Sequence, residues 1–363
     1  MMQKEKITLP DGRTVDALAP VIVSASRSTD IPAFYAKWFI ERLKAGYVVW
    51  VNPFNRQPSY VTFKNCRVVV FWTKNPKPLL PLLDELDKRG IGYYFQFTLN
   101  DYDAEGFEPN VPSVDKRVET FKALSEKIGA DRVIWRFDPL IITPEITPKV
   151  LLHKISVVSK KLYGLTHKLV FSFIDVDAYR KVQNNLVRTG LFTKDNVLSA
   201  EANAAQQREI AEGLKILRQY WHDRDWDFEI ATCGEDIDFS EFGIAKNRCI
   251  DPEIMDKCFG SDPALKEYLS HYKKAPVQTD LFAALDESKS ASEGSSFDYK
   301  KFKDKGQREE CGCVESKDIG MYNTCSHNCV YCYANTSAES VSRNRKAFTL
   351  MSESIIPFAV KSE

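Results

Sequence analysis

Short β-rich runs alternate with helical patterns over the first 235 residues of the chain. Seven runs are rich in Val, Ile, Phe, Tyr and Trp, which suits buried strands of a parallel sheet: residues 21–26, 47–52, 67–73, 92–100, 132–138, 168–175 and 227–233. Apolar residues at three- and four-residue spacing predict helices between most of them: residues 33–45, 78–88, 114–128, 147–163 and 201–220. Residues 57–64 indicate a further strand in a hairpin.

Repeated strand–helix units predict an α/β fold, and we expect a (β/α) barrel of the TIM type, complete or partial. An open doubly wound sheet is the alternative. No glycine-rich phosphate loop follows any predicted strand, which disfavours a Rossmann or P-loop version of that sheet.

The chain changes character after the alternating region. Residues 286–296 are polar and poor in bulky side chains, as is typical of a flexible linker. We therefore expect a barrel over residues 1–272, a linker over 273–308 and a cysteine-rich unit over 309–363. In this last unit, residues 319–324 indicate a strand and residues 335–350 a helix. We expect the resulting strand–loop–helix unit to complete the barrel.

Charge and targeting signals limit the classes of partner. Lys and Arg number 50, as do Asp and Glu, so the net charge points neither to nucleic acid nor to a membrane. Residues 1–13 lack the apolar core of a signal peptide, and no apolar run is long enough to cross a bilayer. We expect a cytoplasmic protein whose nine cysteines, an odd number, stay reduced rather than form a disulfide framework.

Three cysteines near the C-terminus have the spacing of a metal-cluster loop. Cys325, Cys329 and Cys332 stand at C-x3-C-x2-C spacing. Three thiolates on one tight loop can hold three irons of a [4Fe–4S] cluster, and such ligation suits a reducing compartment. Structural zinc is the alternative, although its cysteines normally come as two separated C-x2-C pairs. His327, inside this loop, is expected to be a solvated residue.

The same loop resembles the signature of the radical S-adenosylmethionine superfamily, in which an aromatic residue, here Tyr331, precedes the third cysteine. Residues 323–334 resemble the spore photoproduct lyase-like branch, as do residues 72–76 (WTKNP), 108–117 (EPNVPSVDKR) and 136–141 (RFDPLI). The signature normally follows the first barrel strand, whereas here it comes last. This order indicates a circularly permuted barrel, which is reasonable because the termini of a domain often lie close together.

This resemblance implies a specific chemistry. Cys325, Cys329 and Cys332 would hold three irons of a [4Fe–4S] cluster, and S-adenosylmethionine would chelate the fourth iron. An electron donor such as flavodoxin or ferredoxin would drive cleavage of S-adenosylmethionine to a 5′-deoxyadenosyl radical, which abstracts hydrogen from a substrate. Tyr331 and Tyr333 are candidates to pack beside the cluster or the adenine.

Nearly the whole chain also resembles the domain of unknown function 1848 family. The segments that carry this resemblance are residues 24–35 (SASRSTDIPAFY), 51–55 (VNPFN), 71–76 (FWTKNP) and 307–313 (QREECGC). The resemblance brings no known substrate with it.

Four further cysteines leave two interpretations open. If Cys311 or Cys313 caps the fourth iron, S-adenosylmethionine has no place there, and the cluster is an electron carrier or a structural element. Alternatively, both residues join Cys233 and Cys249 in a second site, which would suit a second iron–sulfur cluster or zinc.

Polar residues gather at the predicted strand ends, where barrel enzymes build their active sites. Lys74, Arg136 and Asp138 are the catalytic candidates, and the last two could hold the substrate. Glu235 is a candidate to accept a hydrogen bond from the cofactor amine, and Asn75 is a further cofactor-binding candidate.

Three functional hypotheses remain open at this point. The first is a radical S-adenosylmethionine-type enzyme with an unknown substrate. The second is an electron-transfer or structural iron–sulfur, or zinc, barrel protein that does not use S-adenosylmethionine. The third is a nucleic-acid repair or modification enzyme, which the spore photoproduct lyase resemblance suggests and the neutral charge disfavours.

Overall fold

The computed structural model describes residues 2–273, 297–298, 303–304, 306–308 and 310–358, so most of the predicted linker lies outside the described residues. The strands are β1 (Lys4–Thr8), β2 (Thr14–Leu18), β3 (Ile22–Ala25), β4 (Tyr47–Val51), β5 (Pro58–Thr62), β6 (Val68–Thr73), β7 (Gly92–Thr98), β8 (Val133–Leu140), β9 (Lys168–Phe173), β10 (Glu229–Thr232), β11 (Ala245–Lys246) and β12 (Lys317–Asp318).

The α-helices are α1 (Ile31–Phe34), α2 (Ala36–Ala45), α3 (Asp84–Asp87), α4 (Val114–Ile128), α5 (Pro148–Lys161), α6 (Arg180–Arg188), α7 (Ala204–His222), α8 (Pro252–Phe259), α9 (Pro263–Ser270) and α10 (Ala338–Ala347). Short 3-10 turns lie at Leu80–Leu82, Ala130–Arg132, Val197–Ala200 and Ser240–Phe242. Within the described residues, no helix has both the length and the apolar composition that a membrane span requires.

Eight parallel strands form the main sheet, in the order β11-β10-β9-β8-β7-β6-β3-β12. From β3 to β11 this order follows the chain, without the reversal that a doubly wound sheet requires. The last strand in sequence, β12, pairs beside β3, with Lys317 opposite Val23. The predicted α/β class is therefore confirmed, and the strand order argues against the doubly wound alternative.

A second sheet, of order β1-β2-β5-β4, contains the predicted hairpin. The assignment of residues 47–52 to the parallel sheet was wrong, because β4 pairs antiparallel with β5, Trp50 lying opposite Ser59. A buried apolar run has the same composition in either sheet, so composition alone could not place β4.

Both faces of the main sheet are buried, which explains the continuous apolar character of its strands. On one face, Phe71 stacks on Phe95 with ring centroids 5.0 Å apart, within the core that the long helices cover. The opposite face packs against the chain that follows β11 and against the segment before β12. Its buried residues are Ile22, Val68, Val70, Tyr94, Ile134, Val170, Cys249, Ile250, Met255, Leu265, Leu269, Phe297, Cys313 and Val314.

Helix prediction succeeded where the apolar period was uninterrupted. Helix α4 has the predicted bounds, and α10 lies within the predicted range 335–350. The predicted helix over residues 78–88 is broken into a 3-10 turn and the single turn α3, because Pro81 lacks an amide hydrogen and disfavours a continuous helix. The strand predicted over 319–324 was also misplaced, since the paired residues are those of β12.

Gly320 allows the segment after β12 to approach β3 closely. A Cβ atom at this position would lie 1.8 Å from Ser26 Oγ and 2.5 Å from Ser26 Cβ. We therefore expect Gly320→Ala to lower the free energy of unfolding by about 1–3 kcal/mol, as measured by urea denaturation under reducing conditions. Adding Ser26→Gly removes both atoms and should restore part of this loss. A Gly320→Ala variant as stable as the parent protein would contradict the close packing.

Candidate functional site

A cavity of about 1200 Å³ opens at the carboxyl ends of the main-sheet strands. Its lining includes nearly all the residues predicted for the site: Lys74, Arg136, Asp138, Glu235, Tyr331, Tyr333, Cys233, Cys249, Cys311, Cys313, Cys325, Cys329 and Cys332. Of the predicted residues, all of them described, only Asn75 lies outside the lining. Its amide donates to Thr73 Oγ1 at 2.9 Å and its side chain accepts from the Lys77 amide at 3.3 Å, so Asn75 shapes the turn after β6.

We use "cysteine loop" for residues 325–332, which other segments hold in place. Tyr35, which follows α1, donates from its hydroxyl to the carbonyl of Thr324 at 2.8 Å. The amide of Val330 donates to the carbonyl of Phe107 at 3.0 Å. The loop is thus fixed at both ends against residues that lie more than 200 positions earlier in the chain.

Of the three thiols of the cysteine loop, Cys329 is buried, and Cys325 and Cys332 are partly exposed. Burial raises the pKa of Cys325, of Cys332 and of Cys329, the last to about 12. All three thiols line the cavity. A metal cation that bound these thiols would displace their protons into the solvent.

Neither the thiols of the cysteine loop nor those of Cys233, Cys249, Cys311 and Cys313 are already arranged around an ion. Across the described residues, no three or more His, Cys, Asp or Glu side chains are placed as the ligands of a metal. The fit of the cysteine loop to a cluster therefore rests on its donor set, three thiols from one loop that share a cavity wall.

A buried carboxylate, Glu108, connects the cysteine loop to the sheet. Its Oε1 lies 2.9 Å from Lys74 Nζ, and its Oε2 lies 3.1 Å from Arg117 Nη1. The Tyr331 hydroxyl donates to the same Oε1, and Asn100 Nδ2 donates to it at 2.9 Å. Five side chains thus form one network, and they come from the turn after β6, the segment between β7 and α4, α4 itself and the cysteine loop.

The charges in this network stabilise one another. Burial alone would raise the pKa of Glu108, but the charges of Lys74 and Arg117 outweigh burial and lower this pKa to about 2. Burial alone would lower the pKa of Lys74, yet Glu108 and, secondly, Cys329 raise it. Lys74 therefore places a permanent positive charge beside the cysteine loop.

His327 is buried rather than solvated, with 2% of its surface exposed. Its Nε2 lies 2.9 Å from Asp30 Oδ2, and the same oxygen accepts the Lys74 amide at 2.7 Å. The prediction of a solvated loop residue was wrong, because the partner carboxylate comes from the segment after β3, 297 positions away.

Arg136 and Asp138 form an ion pair on β8, with Nη2 and Oδ2 2.6 Å apart. Arg136 Nη1 also donates to Cys249 Sγ at 2.9 Å and to Gln96 Oε1 at 3.3 Å. Asp138 accepts from the Ser172 hydroxyl and keeps about a quarter of its side chain (26%) exposed. Arg136 is thus directed at protein groups, and Asp138 is the better placed of the two to meet a substrate.

Glu235 differs from the other carboxylates of the cavity. Burial, followed by the charges of Cys233 and Asp138, raises its pKa to about 7, although the Phe173 amide donates to Oε1 at 2.9 Å and opposes this rise. A carboxyl group with such a pKa can either donate or accept a proton near neutral pH.

Tyr331 and Tyr333 occupy different environments. Tyr331 belongs to the Glu108 network, whereas Tyr333 is 37% exposed at the cavity wall. The Tyr333 hydroxyl donates to the Arg27 carbonyl at 2.7 Å, and its ring lies beside that of Tyr179, with centroids 5.5 Å apart. Tyr333 therefore offers an aromatic face to the cavity, and Tyr331 offers mainly structural support.

Four of the remaining six cysteines, Cys233, Cys249, Cys311 and Cys313, form a second group. The sulfur atoms of Cys233 and Cys249 are 3.3 Å apart, and Cys313 lies close to Cys249 and Cys311. Cys311 and Cys313 thus lie near Cys233 and Cys249, as one of the two sequence-based interpretations expects. All nine cysteines of the chain are free thiols.

The sequence did not predict that Asn100 and Arg117 would contact Glu108, or that Asp30 would contact His327. Glu108 lay at the start of the segment 108–117 that carried the superfamily resemblance, and this was the one signal for it. The remaining partners are brought together only by the fold.

The Glu108 network should make stability depend on pH. Because the folded pKa of about 2 lies below the ordinary 4.5, this stabilisation is present above pH 4.5 and is lost as the pH falls towards 2. We expect Glu108→Gln to be less stable than the parent near neutral pH, and the gap to shrink by about 3 kcal/mol over that window. Urea denaturation at a series of pH values measures the gap.

Glu105→Gln is the matched control, because Glu105 pairs with Lys154 at 2.9 Å outside the network. It should cost less stability than Glu108→Gln. Equal stability of Glu108→Gln and the parent near neutral pH would refute the role assigned to this carboxylate.

The comparisons with known proteins identify a family. A family model described as a domain of unknown function (DUF1848) matches residues 22–334 of the 363. Neither a curated protein nor a solved structure matches the chain. The matched region extends from the first strand of the main sheet to the end of the cysteine loop. The chain therefore belongs to the domain of unknown function 1848 family.

Proposed function

We propose that this protein is a radical S-adenosylmethionine-type enzyme that binds a [4Fe–4S] cluster through Cys325, Cys329 and Cys332. One observation carries the proposal: three thiols of a single loop line a cavity of about 1200 Å³ at the strand ends. When bound, the cluster would supply the electron that cleaves S-adenosylmethionine. The substrate class is open, and the nucleic-acid hypothesis stays a prediction.

We infer that the main sheet is a circularly permuted (β/α) barrel that is incompletely closed by strand pairing. Its strand order follows the chain, and β12 is added beside β3. The segments next to the two edge strands are joined by a hydrogen bond from the Val314 amide to the Ile250 carbonyl, at 3.2 Å. The unit over 309–363 would thus supply what normally comes first in such a barrel.

The residues of the chain have distinct roles in this proposal. The Lys74 ammonium favours the thiolate form of Cys329, because opposite charges stabilise each other in a buried site. Glu235, which faces the cavity, would bind the cofactor amine or hold a proton. Asp138 would contact the substrate, and Arg136 would fix the orientation of Asp138.

The chemistry of such a site determines the compartment and the electron donor that it needs. Nine free thiols suit a reducing compartment, so we propose a cytoplasmic location. An electron donor such as flavodoxin or ferredoxin would have to approach the mouth of the cavity. The alternative function is an electron-transfer or structural iron–sulfur protein, which would hold its cluster with four protein ligands and leave no iron for S-adenosylmethionine.

Iron and sulfide analysis tests the cluster. Anaerobic reconstitution of the full chain should give about four irons and four sulfides at the cysteine loop. We expect Cys329→Ala to lose most of both, because the cluster then lacks one of three thiolates. Cys258→Ala is the control, since Cys258 lies on α8 and outside the cavity lining. Full iron and sulfide in Cys329→Ala would contradict the assigned ligands.

A further inference from the structure

Four thiols that the proposed reaction does not use come together from three separate segments. Cys233 follows β10, Cys249 follows β11, and Cys311 and Cys313 precede β12. Their sulfurs follow one another in the order Cys233, Cys249, Cys313, Cys311, and the first two are 3.3 Å apart. Cys249 and Cys313 are buried, whereas Cys233 and Cys311 are partly exposed to the cavity. Such a convergence of soft donors needs an explanation beyond core packing, because a core position does not require sulfur.

The position of this group within the sheet is specific. Strands β11 and β12 are the two edges of the main sheet. Cys249 follows β11, Cys233 follows its neighbour β10, and Cys311 and Cys313 precede β12. The backbone already approaches here, since Val314 donates to Ile250 at 3.2 Å. A ligand that bound all four thiols would therefore join the edges that strand pairing leaves apart.

The surroundings favour thiolates. Arg136 Nη1 donates to Cys249 Sγ at 2.9 Å, and Asn247 Nδ2 donates to the same sulfur at 3.4 Å. The amide of Ile250 donates to Cys313 Sγ at 3.5 Å, and the Arg27 guanidinium lies close to Cys313. Four thiolates around a divalent ion leave two negative charges uncompensated. Two guanidinium groups and N–H···S hydrogen bonds are the partners that such a centre requires.

We propose that Cys233, Cys249, Cys311 and Cys313 form a second metal site, a mononuclear tetrathiolate centre of the structural zinc type, which ties the two edges of the main sheet together. Tetrahedral zinc with bonds of about 2.3 Å places its sulfurs about 3.8 Å apart. The pair at 3.3 Å needs to separate only slightly, and Cys311, which is partly exposed, moves to complete the tetrahedron. Binding releases the thiol protons to solvent and involves no redox step.

The closeness of the thiols favours a single ion over a cluster. A four-iron cluster is larger than one ion and would hold its cysteine sulfurs much farther apart. It would have to force open a group in which the Cys233 and Cys249 sulfurs are only 3.3 Å apart. A single tetrahedral ion requires the smaller rearrangement.

The test uses a full-length variant in which Cys325, Cys329 and Cys332 are all replaced by Ala, so that only the second group can bind metal. This variant should contain about one zinc per chain by mass spectrometry of its metal content. Titration with Co²⁺ should give the intense visible bands of tetrahedral cobalt–thiolate ligation and saturate at about one equivalent. This outcome does not depend on the cluster, so it stands or fails separately from the proposed function.

Matched variants show whether the four thiols are the ligands. Adding Cys249→Ser or Cys311→Ser to the triple variant should weaken zinc retention against a chelator at least tenfold. Adding Cys258→Ser to the triple variant should leave zinc retention unchanged. Cys311 is partly exposed, so its variant should remain folded even if Cys249→Ser does not.

Four results would overturn the proposal. The first is a triple variant that binds neither zinc nor cobalt, and the second is one that contains about four irons and four sulfides. The third is unchanged zinc retention in the Cys311→Ser variant. The fourth is a disulfide between Cys233 and Cys249 in freshly purified protein.

Discussion

The buried carboxylate of Glu108 holds the C-terminal cysteine loop against a sheet that is built mostly from the N-terminal two thirds of the chain. Lys74 and Arg117 neutralise it, and Tyr331 hydrogen-bonds to it from the loop. Removing one partner from such a network leaves a charge buried without compensation, which is strongly unfavourable. The loop, the strand end at Lys74 and helix α4 are therefore positioned together, and the three thiols face the cavity as a consequence.

The strand order gives the second constraint. Because β12 pairs with β3, the last strand of the sheet in sequence lies beside the first, and the chain reaches the cysteine loop directly from this edge. The opposite edge, at β10 and β11, brings Cys233 and Cys249 towards the segment before β12. This strand order thus explains why both groups of cysteines line a single cavity.

Local patterns predicted the elements better than the contacts between them. The uninterrupted apolar period of residues 114–128 predicted the bounds of α4, and the composition of the strands predicted the α/β class. Composition could not assign β4 to its sheet, nor could spacing show that His327 is buried beside Asp30. Most of the polar residues predicted for the site because they follow strands do line the cavity. The partners of those residues lie up to 297 positions away, and only the fold brings them together.

The electron paramagnetic resonance spectrum of the anaerobically reconstituted, reduced protein, recorded with and without S-adenosylmethionine, tests the proposed chemistry most directly. If Cys325, Cys329 and Cys332 leave one iron open, a [4Fe–4S]⁺ signal should be present and should shift when S-adenosylmethionine is added. Cys329→Ala should abolish this signal. A cluster signal that S-adenosylmethionine leaves unchanged would contradict an open iron and would favour a cluster held entirely by protein ligands.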